Sequence, residues 1–361
     1  MSKQKEESIT LENVAKHSGV SYQTVSRVVN NAPNVSDKTR RKVQASINEL
    51  GYVPNRLAQR LASKKSHTLG LATVDISLHA AAQIAAGTKL EAKNQGFSVV
   101  LSIIDGCEAH GCQSAFNELN SQHVDGIIIN APLAPQQAET LSHNSKQTPA
   151  IFVDVPPNTQ VLNVVYDQHE GASLSAQHLL SLGHQQIAII NGPASSSTSA
   201  LRLQGATDTL SAQGISPIYV ADGDWSAASG YQLTRSLIES GLAFTAMLVA
   251  NDQMALGVLK ALNDQGLRVP HDVSVVGYDD TPESRFYQPA LTTVKQDFHQ
   301  LGKEAVLRLV EKIQGDSQQP QATLLRSDLL IRHSSGPVKQ PADMDKLAVI
   351  DSLQQVIQKL G

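Results

Sequence analysis

Cysteine is nearly absent: Cys107 and Cys112 are the only two in 361 residues. A disulfide-stapled secreted scaffold is excluded, and a reducing cytoplasm is the expected compartment. His110 stands between them in CEAHGC, but a zinc site needs a fourth ligand, so the reading is ordinary thiols and no metal. Long hydrophobic runs are missing too. No stretch approaches the roughly 18 apolar residues of a membrane span. The charged start, MSKQKEESIT, has no apolar core behind it, so no signal peptide is expected. The signatures GxSxG, Walker A and HExxH do not occur, and no nucleophile–base pair follows from spacing. An enzyme is therefore not expected, nor a cofactor. Aromatics make up 4% of the chain, with one tryptophan, Trp225.

What is present is a chain 41% hydrophobic with 23 Gly and 15 Pro, a composition that supports a packed core. Its length suits two or three domains. Net charge is −4 but unevenly placed: residues 1–66 hold 12 Lys and Arg against 5 Asp and Glu, and the rest holds 17 against 28. A basic head on an acidic body points to a polyanion partner for the head, although a solvated basic face alone would look the same.

The head reads as three short helices. Thr10 caps LENVAKHS, where Leu11, Val14 and Ala15 share one face, and Gly19 stops it. Ser21 caps the second helix, in which Val25, Val28 and Val29 point inward while Tyr22, Gln23, Ser26 and Arg27 share another face. The third starts near Ser36 and ends at Gly51. A tight glycine turn between the first two helices makes a helix-turn-helix. Its second helix would enter the major groove, with Gln23 suited to adenine N6/N7 and Arg27 to guanine O6/N7. Asn30 is a further candidate on this side. Lys38, Arg40, Arg41 and Lys42 are placed to meet phosphates, which position a protein without reading sequence.

After Gly51, the stretch PNRLAQRLA carries Leu57, Ala58, Leu61 and Ala62 on one stripe. About nine residues are too few for a stable lone helix. Paired with a second copy, it would fit a minor groove, with Asn55 and Leu61 as contacts and Leu61 as the wedge. A plain linker is the competing reading.

The body alternates apolar runs (TLGLATV, FSVVLSII, VDGIIIN, AIFVDV, QIAIING, AMLVAN, VSVVGYD) with helical stretches such as DQMALGVLKALNDQG. Uninterrupted apolar strands separated by helices mean parallel sheets covered on both faces. There are too many units for one sheet, so two doubly wound α/β lobes with a cleft at the strand C-terminal ends are expected. Polar residues gather at those ends: Asn130, Asp154, Asn251 with Asp252, and Asp279 with Asp280. Any one of them could be a helix cap. Their recurrence at strand ends, with Trp225 in a nearby loop, points to a sugar: amides and carboxylates for hydroxyls, a ring for the apolar face.

The motifs VSYQTVSRVVN, PNRLAQRLA, TAMLVANDQMALG and VSVVGYDDT resemble the LacI/GalR family of repressors, and the likeness covers essentially the whole chain. It implies a core like the periplasmic sugar-binding proteins, with three crossovers between the lobes. It implies that Asn130, Asp154, Arg202, Trp225, Asn251, Asp279 and Gln296 contact the sugar and that Leu78, Ile84, Phe298 and Leu301 form an apolar wall. Val74, Tyr166 and Ala206 depart from the resembled pattern, which has serine, phenylalanine and tryptophan there; Val74 removes a hydroxyl from the wall. A transport binding protein would share the body but need a signal peptide and lack the head.

GPVKQPAD reads as a linker. In MDKLAVIDSLQQVIQKLG, Ile350, Leu353, Ile357 and Leu360 form a heptad seam that needs partners. The expected organisation is a helix-turn-helix head over 1–54, a hinge helix over 55–66, and a two-lobed sugar-binding and dimerisation core over 67–336. A linker over 337–343 and a tetramerisation helix over 344–361 follow. The expected function is a repressor of a galactoside-utilisation operon, released from near-palindromic operator DNA by a galactoside-type inducer and built as a homodimer or homotetramer. A related repressor answering to another sugar or to a corepressor is the alternative.

Overall fold

The computed structural model describes residues 9–29, 34–52, 66–104, 109–144, 148–315 and 322–338. Asn30, the hinge residues Asn55 and Leu61, Cys107 and the tail from residue 339 lie outside the described residues. The chain divides into two units, residues 1–67 and 68–361.

In the first unit, α1 (Leu11–Ser18) begins at a reciprocal cap: Thr10 accepts from the Asn13 amide, and the Asn13 side chain accepts from the Thr10 N–H at 2.8 Å. Gly19 ends it in the left-handed region, φ 58°, which a residue without Cβ adopts at little cost. Ser21 Oγ accepts from Thr24 N at the start of α2 (Tyr22–Val29). Ser36 caps α3 (Asp37–Leu50). Val14, Val25, Val28, Val43 and Tyr52 make the small core that locks the three helices together.

The second unit holds two six-stranded sheets among the described residues. The first takes β1 (Thr68–Thr73), β2 (Ser98–Ile103), β3 (Gly126–Asn130), β4 (Ala150–Phe152) and β5 (Asn163–Tyr166). The second takes β6 (Ile187–Asn191), β7 (Tyr219–Asp222), β8 (Ala246–Val249), β9 (Ser274–Asp279) and β10 (Thr292–Lys295). The chain then returns to the first with β11 (Ala322–Leu325) and to the second with β12 (Asp328–Leu330). Spatial order is β11-β5-β4-β3-β1-β2 in one and β12-β10-β9-β8-β6-β7 in the other. All pairings are parallel except β10 with β12. The path therefore crosses between lobes three times, after Tyr166, after Lys295 and after Leu325, as the family resemblance implied.

The apolar runs became strands for the expected reason: β1, β3, β6, β8 and β9 are buried at every position, because helices cover both faces. The strands β5, β7, β10, β11 and β12 are not among the apolar runs of the sequence: each is short and carries a polar residue, whereas the equally short β4 and β8 are wholly apolar. The covering helices are α4 (His79–Asn94), α5 (Ala109–Ser121), α6 (Pro135–Asn144), α7 (Gln168–Ser181), α8 (Ser197–Ser211), α9 (Ala227–Glu239), α10 (Asp252–Asp264) and α11 (Phe298–Ile313). No described helix is long and apolar enough to cross a membrane.

Helices α4 and α11 cross backbone to backbone at two glycines. A Cβ on Gly302 would lie 2.3 Å from Ile84 O, and one on Gly87 only 2.1 Å from His299 O. This close crossing sets Ile84 beside Phe298 and Leu301 in one cluster. Gly302→Ala is expected to force the helices apart and to cost about 1–3 kcal/mol by overpacking. Urea unfolding would measure the loss, and an unchanged midpoint would show that the crossing can relax.

Candidate ligand cleft and DNA-reading face

In the head, the second helix turns its valines inward and leaves Tyr22 52% exposed, with Gln23 and Arg27 also exposed and Ser26 half-buried. Lys38, Arg41 and Lys42 are exposed along α3, and Arg40 is half-buried. The helix therefore leaves Gln23 and Arg27 at the surface next to basic side chains, without an apolar reason for either.

In the core, a cavity of 390 Å³ opens between the C-terminal ends of the two sheets. Leu78, Ile84, Asn130, Asp154, Arg202, Trp225, Asn251, Asp279, Phe298 and Leu301 all line it, drawn from both lobes. Gln296 does not: it is buried one layer back, where its Oε1 accepts from Arg202 Nη2 at 3.0 Å. Val74 and Tyr166 line the cavity, whereas Ala206 does not. His79, Gln168, Thr198 and Gln253 also line it and were not singled out from sequence. The cluster of serines and threonines at the start of α8 was the one available signal for Thr198.

Arg202 is the centre of the polar side. Its Nε donates to Gln168 Oε1 at 2.9 Å, Nη1 donates to the Ala250 carbonyl, and Nη2 pairs with Asp279 Oδ1 at 3.2 Å. The guanidinium lies 3.8 Å from the centre of the Tyr278 ring and 5.7 Å from that of Trp225. Asp279 Oδ1, although ion-paired, accepts no well-aligned hydrogen bond. Burial pushes its carboxyl up to about 6 despite the opposing pull of Arg202. Burial also raises Asp154, against its bond from Thr198 Oγ1 (2.7 Å) and the charge of Arg202.

The paired residues at the strand ends separate by role. Asn251 is a helix cap, its Oδ1 accepting from Met254 N at 2.8 Å, and it also faces the cleft; its amide donates to the Trp225 carbonyl. Asp252 is fully buried behind the cleft, accepting from Thr281 N at 2.8 Å and from Thr293 Oγ1 at 2.6 Å. Burial, and then the charge of Asp279, push its carboxyl up to about 8. Asp280 turns away to Arg332 Nη2 at 2.6 Å. Among the described residues, five non-glycine positions have positive φ, and three of them are Trp225 (72°), Asp279 (106°) and Asp280 (56°). Backbone strain of this kind gathers at binding sites because the surrounding contacts over-determine it. Gly192 lets the indole approach; a Cβ there would sit 2.2 Å from Trp225 Cη2.

On the apolar side, Phe298 meets the rings of Tyr166 and His79 edge-on at 6.4 and 6.2 Å. The Tyr166 hydroxyl donates to Asp297 O and accepts from Asp297 N, pinning the second crossover immediately before Phe298. Burial pushes this phenol up to about 12, so it stays neutral. Tyr166→Phe would leave that N–H unpaired, and a loss of about 1–3 kcal/mol is expected in denaturant melts. An unchanged midpoint would mean that water replaces the hydroxyl.

Comparison with known proteins agrees with this geometry. Residues 10–55 match the family model for bacterial regulatory proteins of the lacI family, and residues 176–335 match a periplasmic binding protein-like domain. The chain is 46% identical to the lactose operon repressor of Escherichia coli (strain K12) over 98% of each chain. It is 38% identical to that of Klebsiella pneumoniae over 97% of this chain and 98% of that one. A crystal structure of the lac repressor dimer bound to operator and an anti-inducer superposes with a TM-score of 0.85 at 46% identity, over 91% of this chain and all of that one. The chain belongs to the LacI family of bacterial DNA-binding transcriptional repressors.

Proposed function

We propose that this repressor is induced by a galactoside and controls a galactoside-utilisation operon from within the cytoplasm. The observation that carries the reading is the cleft: a buried Arg202–Asp279 pair and Trp225 face an apolar wall across 390 Å³. Charged acceptors and donors suit vicinal hydroxyls, and the half-buried indole suits the apolar face of a pyranose ring. The 46% identity to a lactose operon repressor supports the galactoside over other sugars. Val74 favours the second reading, another sugar or a corepressor, because it presents methyl groups to the cleft.

In this reading Asn130, Asp154, Arg202, Trp225, Asn251 and Asp279 hold the sugar, and Leu78, Ile84, Phe298 and Leu301 exclude water. Gln296 acts through Arg202. Tyr22, Gln23, Ser26, Arg27 and Asn30 read the major groove, and Asn55 and Leu61 the minor groove. Two heads bind a near-palindromic operator, mirroring dimer symmetry. Exposed apolar side chains on the core, Phe286 at 77% and Leu90 at 52%, support a homodimer. The heptad seam of residues 344–361 supports a tetramer. Sugar and operator each favour a different geometry of the core, so each weakens the other by the same factor.

Gln23→Ala and Arg27→Ala are each expected to cost about 1–3 kcal/mol on the specific operator and little on random DNA. Mobility-shift titrations on both DNAs check this; equal losses would remove the residues from base reading. Deleting residues 340–361 is expected to halve the mass in sedimentation and to leave a dimer that binds one operator.

Trp225 is the only tryptophan, so its emission reports the cleft alone. Adding a galactoside is expected to change that emission, and Asp279→Asn to abolish most of the response while operator binding persists. Hydroxyls donate best to the ionised carboxylate, so a bound sugar lowers the Asp279 pKa from its free value of about 6. Affinity should then be flat above that pH and fall as pH drops through it. A galactoside that binds by calorimetry without touching the emission would place the sugar elsewhere. A response to other sugars alone would overturn the galactoside and leave the repressor standing.

A further inference from the structure

Behind Arg202, on the side away from the cleft, lies a second and much smaller cavity of 30 Å³, between the second sheet and helices α7 and α8. Arg202 is the only residue that lines both. Besides Arg202 and Tyr278, two polar side chains line the small cavity, Ser175 of α7 and Asn191 at the end of β6, and they are only 4% and 3% exposed. Neither Ser175 Oγ nor Asn191 Oδ1 has a hydrogen-bond partner.

Both atoms are placed there for local reasons. The amide of Asn191 donates to Asp222 Oδ1 at 3.0 Å, which fixes the orientation of the group and leaves its carbonyl oxygen over. Flipping the amide would set oxygen against carboxylate. A helical serine commonly donates to the carbonyl four residues back. Ser173 does so, to His169 O at 2.9 Å, whereas Ser175 does not. At this point α8 supplies only the methyl of Ala206, which leaves the space open.

We propose that this cavity is a binding site for one internal water, held between Ser175 Oγ and Asn191 Oδ1. The water donates to the amide oxygen and exchanges a hydrogen bond with the hydroxyl. The Asn191 oxygen can only accept, which disfavours an anion, and the one charged lining group, Arg202, is already paired with Asp279 and disfavours a cation. The volume exceeds the roughly 10–15 Å³ that is the least a water needs, and the two unpaired atoms supply the polar partners that fix one molecule. Buried polar atoms left dry in an apolar pocket are costly, so the site is filled wherever the fold is formed. The inference does not depend on which sugar occupies the cleft.

The test uses the full chain. A high-resolution crystal structure should show a density peak within hydrogen-bond distance of both atoms, and crystals under xenon pressure should take up no xenon at this position. In solution, water-¹⁷O relaxation dispersion should lose one long-lived water in Ala206→Val, which fills the space with methyl groups. Ser175→Ala keeps the volume and removes one partner, so the remaining water should exchange faster. Xenon binding with no water peak would overturn the proposal, as would an unchanged dispersion in a cooperatively folded Ala206→Val protein. If either variant fails to fold, the peak and the xenon result on the unaltered chain decide.

Discussion

The core is organised around one guanidinium. Arg202 touches the start of α7 through Gln168, the end of β8 through the Ala250 carbonyl, the second crossover through Gln296, and the end of β9 through Asp279. Its side chain and that of Asp279 are only 7% and 8% exposed. Removing one partner of such a buried pair typically costs about 3–5 kcal/mol, because the other charge is left without water or counter-ion. Replacing both by hydrocarbon often costs nothing. The pair is therefore poorly explained as a device for stability alone: it keeps a carboxylate and a guanidinium in fixed places at the edge of the cleft.

The surroundings carry the consequences. Holding Asp279 at the cleft requires a positive φ there and at Asp280. That turn is tied down from below by Asp252, which binds the Thr281 amide, and from the side by the Asp280–Arg332 pair. Burial raises both carboxyls: Asp252 to about 8, with a further push from the charge of Asp279, and Asp279 to about 6 against the pull of Arg202. Trp225 is likewise held in a left-handed conformation, with Asn251 bonded to its carbonyl and Gly192 giving its ring room. The apolar wall is set by different means, through the glycine crossing of α4 with α11 and the Tyr166 hydroxyl on Asp297.

The head illustrates the opposite regime. Its three helices are short and their core is small, so local signals decide nearly everything: Thr10, Ser21 and Ser36 as caps, Gly19 and Gly51 as stops, valines at helical spacing. The polar face of α2 is what remains after the valines are buried, and its residue types suit base edges.

Much of this was legible in the sequence, because it depends on neighbours along the chain. Helix caps, glycine stops, fully apolar parallel strands and the polar residues that follow them all carry local signatures, and strand-end positions in a doubly wound sheet face a cleft by topology. Tertiary structure decided which of each pair does so. Asn251 and Asp252 are adjacent, as are Asp279 and Asp280, yet the second of each pair turns away, toward Thr281 or Arg332. Gln296 and Gln168 are held on Arg202 from 94 and 34 residues away in sequence. Packing across such separations leaves no periodicity to read. The sequence determined the parts and the faces they present; only the fold decided which polar atoms share the cleft, since that depends on three crossovers bringing distant strand ends together.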